Sequence, residues 1–130
     1  METPRQFSSP QEELDYLRAQ VAQREAALAA HERTPEARTQ IIAEQVTAHH
    51  EAPATVLAPQ HAMPKEAVRS AAADIIAELD LGDTEAVVRS LVQTLDTQGA
   101  KNALAVADRL GNPQAFDDFH RYLVRRIASG

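Results

Sequence analysis

Residues 99–127 read GAKNALAVADRLGNPQAFDDFHRYLVRRI, and their punctuation decides the fold class. Glycine is the residue that most readily closes a helix, and Gly99 and Gly111 bracket a segment expected to be helical over about 100–110. Asn112 is a helix-capping residue. Pro113 after it suits the first helical position, where no N–H is needed and φ is already right. The helix that follows should run to about residue 128. At about 100° per residue, Phe116, Phe119, Leu123 and Ile127 share one face, with Val124 at its edge. This last helix is therefore expected to anchor a core.

The same punctuation extends backwards. Asp83 or Thr84 opens a helix over about 84–97, and a segment over about 65–80 stops at Gly82. Residues 51–64, EAPATVLAPQHAMP, hold three prolines and no periodicity, which reads as a linker or an irregular, partly docked segment. Ser9-Pro10-Gln11-Glu12 reads as a capping box opening a helix that continues to about Arg33. Thr34 and Pro35 stop it, and Thr34 caps a second helix over about 35–50 with Glu36 in its positive first turn. No window alternates apolar and polar residues as a strand would. The expected fold is all-α: an N-terminal helical arm or hairpin (1–50), a linker (51–64) and a compact C-terminal bundle of four short helices (65–130).

Leu14, Leu17, Val21 and Leu28 make a narrow apolar seam, but Arg24 and His31 occupy the slots that would complete the heptads. Three arrangements stay open for this helix: a short coil with another chain, a hairpin with residues 35–50 through Ile41, Ile42 and Val46, or a frayed free helix. Core material is modest, since 25 of the 130 residues are Ala and the aromatics are Phe7, Tyr16, Phe116, Phe119 and Tyr122. Each buried Leu, Ile or Phe contributes roughly 1.5–3 kcal/mol and an Ala far less, so a protein partner or self-association is expected.

Several functions are excluded. The chain has no cysteine, which removes disulfides, thiol catalysis and cysteine-ligated metals. Its glycines stand singly at expected helix ends or the terminus, so neither phosphate-cradling loop exists and a nucleotide enzyme is ruled out. The longest aliphatic run is ALAVA at 103–107, too short to span a membrane. The start, METPRQFSSP, lacks the apolar core of a signal peptide, so a cytoplasmic protein is expected. No cofactor and no small-molecule substrate are indicated.

Three groups of residues invite a chemical reading. His120 lies at the edge of the apolar face of the last helix, beside Asp117 and Asp118. The plain reading is a half-buried histidine bonding a backbone carbonyl, and the sharper ones are a pH-sensitive or ligand contact or a hydrolytic base. The last would need a hydroxyl nucleophile within reach, and no serine or cysteine neighbours it in sequence. His49, His50, Glu51 and His61 lie close together, but adjacent helical side chains diverge and the spacing fits no metal motif, so no metal is expected. Arg121, Arg125 and Arg126 form a basic side of the last helix that Lys101 or Arg109 could join. The overall charge is −6, and only residues 100–130 carry a positive balance, with five basic side chains against three acidic. An acidic protein partner or nucleic acid would have to meet the chain there.

The strings LAPQHAMPKEA and GAKNALAVADRLGNPQAFDDFHRYLVRRI resemble a helical segment near the N-terminus of large bacterial proteins that resemble type IV secretion ATPases of conjugative DNA transfer. Residues 57–128 carry the resemblance, most specifically Lys101-Asn102-Ala103-Leu104, Asn112-Pro113 and Asp117-Asp118-Phe119-His120-Arg121. It implies an accessory N-terminal helical module and transfers no ATPase chemistry, because the phosphate loop is missing. The function expected is therefore a non-enzymatic helical interaction or scaffold module, with weak nucleic-acid binding by the basic last helix as the alternative. The interaction residues expected are Leu14, Leu17, Val21, Leu28, Arg121, Arg125 and Arg126.

Overall fold

Helices begin where side chains can satisfy their first amides. The computed structural model describes residues 7–53, 56–80 and 82–129. Within them run α1 (Pro10–Ala26), a 3₁₀ turn (Ala30–Glu32), α2 (Pro35–Glu51), α3 (Lys65–Glu78), α4 (Thr84–Gln98), α5 (Ala100–Arg109) and α6 (Pro113–Ser129). Ser9, Thr34 and Asp83 accept the N–H of Glu12, Ala37 and Ala86 at 3.1, 3.1 and 3.2 Å. Asn112 Oδ1 accepts from Gln114 and Ala115 (3.1 and 3.3 Å). Each such cap contributes about 1 kcal/mol. The fold is all-α, and no strand occurs among the described residues beyond one parallel bridge, Phe7 to Leu57.

The first helix is shorter than its periodicity predicts, ending at Ala26 rather than near Arg33. The reason lies in two side chains beyond it. Arg33 donates to the carbonyls of Leu28 and Ala26 (3.1 and 3.2 Å), and the Glu32 carboxylate accepts the Ala29 N–H at 3.0 Å. Both offer the backbone a competing set of partners, so the chain leaves the helix and tightens into the 3₁₀ turn.

Leu14, Leu17 and Val21 do not form an exposed seam for another chain. They are 1–3 % exposed and belong to one hydrophobic cluster with Ile42 and Val46 of α2, Leu91 and Leu95 of α4, Leu104 of α5 and Phe119, Leu123 and Ile127 of α6. Leu28 is half-buried against the same cluster. The division of the chain into residues 1–50 and 65–130 is accordingly absent from the packing: α1 touches α2, α4, α5 and α6, and α2 lies along α6. Arg18 reinforces this by donating to the carbonyls of Arg126 and Ile127 (3.0 and 3.4 Å) at the end of α6, where unpaired carbonyls favour a cation. Arg38 of α2 donates likewise to Ala128 O (3.1 Å).

The proline-containing stretch is docked rather than a free linker. Phe7 N donates to Val56 O (3.0 Å) and Ala58 N to Phe7 O (2.9 Å), and Phe7, Leu57 and Ala58 are buried. Of the four apolar residues expected on the inner face of the last helix, Phe119, Leu123 and Ile127 are buried, whereas Phe116 is only half-buried. Its ring sits between His50 and His120, at centroid distances of 5.6 and 6.3 Å.

Candidate functional site: a buried carboxylate and a cationic groove

Glu13 stands in the first turn of α1, where a carboxylate suits the helix dipole, but its side chain turns inward and is fully buried. Burying a carboxylate is costly unless donors surround it. Three converge here: His49 Nε2–H and the Lys101 backbone N–H on Oε2 (2.9 and 3.0 Å), and His61 Nε2–H on Oε1 (3.1 Å). Burial alone pushes the Glu13 carboxyl up. The hydrogen bonds from His49, Lys101 and His61, together with the charge of His49, outweigh it and hold the group below its ordinary value. Gly99 leaves room for this carboxylate, since a Cβ there would sit 2.0 Å from Oε1. Phe7 closes the cluster on one side, with its ring 6.0 Å from that of His49.

Lys101 serves the same region with its side chain. Nζ donates to the carbonyls of His49, His50 and Ala52 (3.1, 3.0 and 2.5 Å) and so caps the end of α2. Its pKa is lowered by burial, against the pull of the Glu13 charge. Asn102 ties in the docked stretch, donating to His61 O and Gln98 O (3.0 and 2.7 Å) and accepting from Met63 N (3.2 Å). Two of the histidines singled out in the sequence thus do meet, on a carboxylate instead of a metal. No cluster of His, Cys, Asp and Glu suited to an ion occurs among the described residues. Sequence reasoning missed Glu13 entirely. The signal available was its neighbour in role, Lys101-Asn102, a polar pair inside an otherwise Ala-rich and apolar helix.

His120 is half-buried, and Thr47 Oγ1 of α2 lies 3.3 Å from its Nε2. A hydroxyl is therefore present after all. Burial lowers the His120 pKa, with His50 acting the same way and Asp117 opposing. The remaining hydrolytic parts are used differently: the Asp117 carboxylate bonds Arg121 (2.9 Å) and Asp118 accepts from Gln114 (2.9 Å). Thr47 lies in mid-helix, where the amides that would stabilise an oxyanion already serve the helix.

The basic side of α6 is largely paired. Arg121 meets Asp117 at 2.9 Å and Arg126 meets Asp96 at 2.5 Å, leaving Arg125 exposed with no acidic partner among the described residues. Another set of cations is more concentrated. Lys65 and Arg69 of α3 and Arg109 of α5 line a groove of about 310 Å³, floored by Met63, Val68 and Ala105 and reached by His50 and Asp108. All three cations are exposed, and among the described residues none has an ion pair or hydrogen bond. Burial lowers the pKa of His50, Lys101 and His49 push the same way, and Asp108 and Glu51 oppose them. No helix is long and apolar enough to cross a membrane among the described residues. The chain matches no protein-family model, no curated protein and no solved structure.

Proposed function

We propose that this chain is a non-enzymatic helical protein-interaction module that presents the groove between α3 and α5 to a partner. The observation that carries this reading is the contrast between its two sets of ionisable groups. Glu13, His49, His61 and Lys101 are consumed by internal hydrogen bonds, whereas the side chains of Lys65, Arg69 and Arg109 have none among the described residues and surround an open apolar floor. An apolar floor with a charged rim is how a helical surface engages a peptide segment. The resemblance of residues 57–128 to a segment of DNA-transfer proteins fits an accessory role of this kind. Nucleic-acid binding through Arg121, Arg125 and Arg126 is the weaker reading, since two of those arginines already hold acidic partners.

Selection of ligands from a random peptide library on the folded protein tests the proposal. Enriched peptides should compete for one site and lose binding in an Ala105→Phe variant, which fills the groove floor. Enrichment of no groove-dependent peptide would count against it. So would ester hydrolysis that vanishes in both Thr47→Val and His120→Gln, because that would make the Thr47–His120 pair a reaction centre.

A further inference from the structure

Resting on the reading of the groove as a binding surface, we infer that its occupant is an acidic amphipathic segment of a partner protein, its carboxylates on Lys65, Arg69 and Arg109 and its apolar side chains on Met63, Val68 and Ala105. Charge complementarity argues for the carboxylates. On a chain of net charge −6, three cations unpaired among the described residues gather at one groove and make a local positive field, opposed by Asp108 in its lining and by Glu51 near His50.

The placement of Lys65 is a second, independent sign. It occupies the first position of α3, where the helix dipole disfavours a cation, and the helix carries no basic residue in its last turn, where one would be favoured. Pro64 supplies no side-chain cap to the first amides. Glu66 beside Lys65 answers the dipole in the same turn, so Lys65 is a cation placed where helix stability does not ask for one. Such conflicts are expected where a residue serves binding.

The apolar floor and the overall charge argue against a nucleic acid. A polyphosphate backbone extends well beyond the groove and meets the acidic remainder of the surface, whereas a short peptide feels mainly the nearby cations. Among the described residues no Phe, Tyr or Trp lines the groove to stack a base, and its one ring, His50, already packs against Phe116. The volume, about 310 Å³, lies at the small end for binding pockets and suits a few side chains of an extended or helical segment.

Fluorescence anisotropy with a labelled amphipathic peptide carrying leucines on one face and glutamates beside them tests the inference. Two comparison probes are the same peptide with glutamine for glutamate and a single-stranded oligonucleotide of equal charge, and sedimentation of the protein alone over the same concentrations reads its self-association. The glutamate peptide should bind, weaken several-fold between about 50 and 200 mM salt, and lose about tenfold in affinity or more in Arg69→Glu/Arg109→Glu. Arg125→Glu should leave its binding unchanged. Amide shifts on titration should centre on residues 65–69 and 105–109. Equal binding of the glutamine peptide would overturn the acidic assignment while leaving a groove-binding module intact. Tighter binding of the oligonucleotide, self-association of the protein that is lost in Arg69→Glu/Arg109→Glu, equal loss of peptide binding in Arg125→Glu, or no binding at low salt would each overturn it too.

Discussion

Glu13 shows how one side chain can join four parts of a chain. Its carboxylate receives His49 from the end of α2, His61 from the docked stretch and the Lys101 amide from the start of α5, all while sitting on α1. Every group around it is a donor, so a carboxylate is the one species that satisfies them all. We expect Glu13→Gln, which replaces an acceptor oxygen by an N–H₂ facing other donors, to lower stability by about 3 kcal/mol in urea unfolding. The pH dependence has a definite sign. Glu13, His50 and His120 all have folded values below their ordinary ones, so the folded protein binds fewer protons than the unfolded chain. The stability this confers is complete above the ordinary values of 6.5 for the histidines and 4.5 for Glu13, and it is lost as the pH falls through the folded ones. The urea midpoint should therefore fall in two stages on acidification. In Glu13→Gln the lower stage should shrink to what the exposed Glu44 supplies, whose carboxyl the Arg24 side chain also holds below its ordinary value. An unchanged acid limb would refute the role given to Glu13. Little of this site was legible in the sequence. An acid in a first helical turn already has a local explanation in the dipole, and His49 beside His50 argues for divergence; the pairing depends on contacts 36 and 48 residues apart.

At the scale of elements, the helix ends carry most of what the sequence made readable. Pro10, Pro35, Thr84 and Pro113 begin helices because the residue before each can accept an amide, and that information is local. The docking of α1 and α2 on the other helices was not local, so the narrow seam of Leu14, Leu17 and Val21 left three arrangements open. The two turn glycines separate conformation from space. Gly99 and Gly111 both have positive φ, 96° and 68°, but only at Gly99 would a Cβ strike the Glu13 carboxylate. Gly111→Ala should cost about 1 kcal/mol from backbone conformation alone. Gly99→Ala should cost clearly more, because it also dislodges Glu13, and thermal unfolding of the two variants side by side checks the difference. Equal losses would mean that the close approach at Gly99 is relieved without harm to the cluster. Helix α3 offers another element-level expectation. It rests chiefly on α5, whereas each of the other five helices touches three or more others. Amide hydrogen exchange should therefore be fastest in α3 among the six helices. Protection in α3 equal to that of α6 would show that contact with α5 alone suffices to hold it.

For the whole molecule, the decisive feature is that one cluster of buried side chains passes through every helix from α1 to α6. A core shared in this way should melt as one unit, since no subset of helices keeps an apolar interior when the others leave. Leu17 is a sensitive probe of the claim. It is 1 % exposed and lies on α1, yet the cluster it fills includes Leu91, Leu123 and Ile127 from the other end of the sequence. Leu17→Ala should destabilise the protein by about 2–5 kcal/mol through lost burial and the cavity left behind. Tyr16 and Tyr122 report the two halves of the chain. Followed by fluorine labels on these tyrosines, the urea transitions of the variant should shift together by the same amount. If residues 65–129 instead formed a unit of their own, the Tyr122 transition would stay in place while that of Tyr16 moved. Removing residues 1–52 extends the test: it takes away Leu14, Leu17, Val21, Ile42 and Val46 and exposes the faces of α4, α5 and α6 that they cover. The remaining fragment should lose cooperative melting, because the Ala-rich α5 then has too little apolar area around it to offset the entropy of ordering the chain. A fragment that melted cooperatively near the temperature of the full chain would show that α1 and α2 decorate a finished bundle.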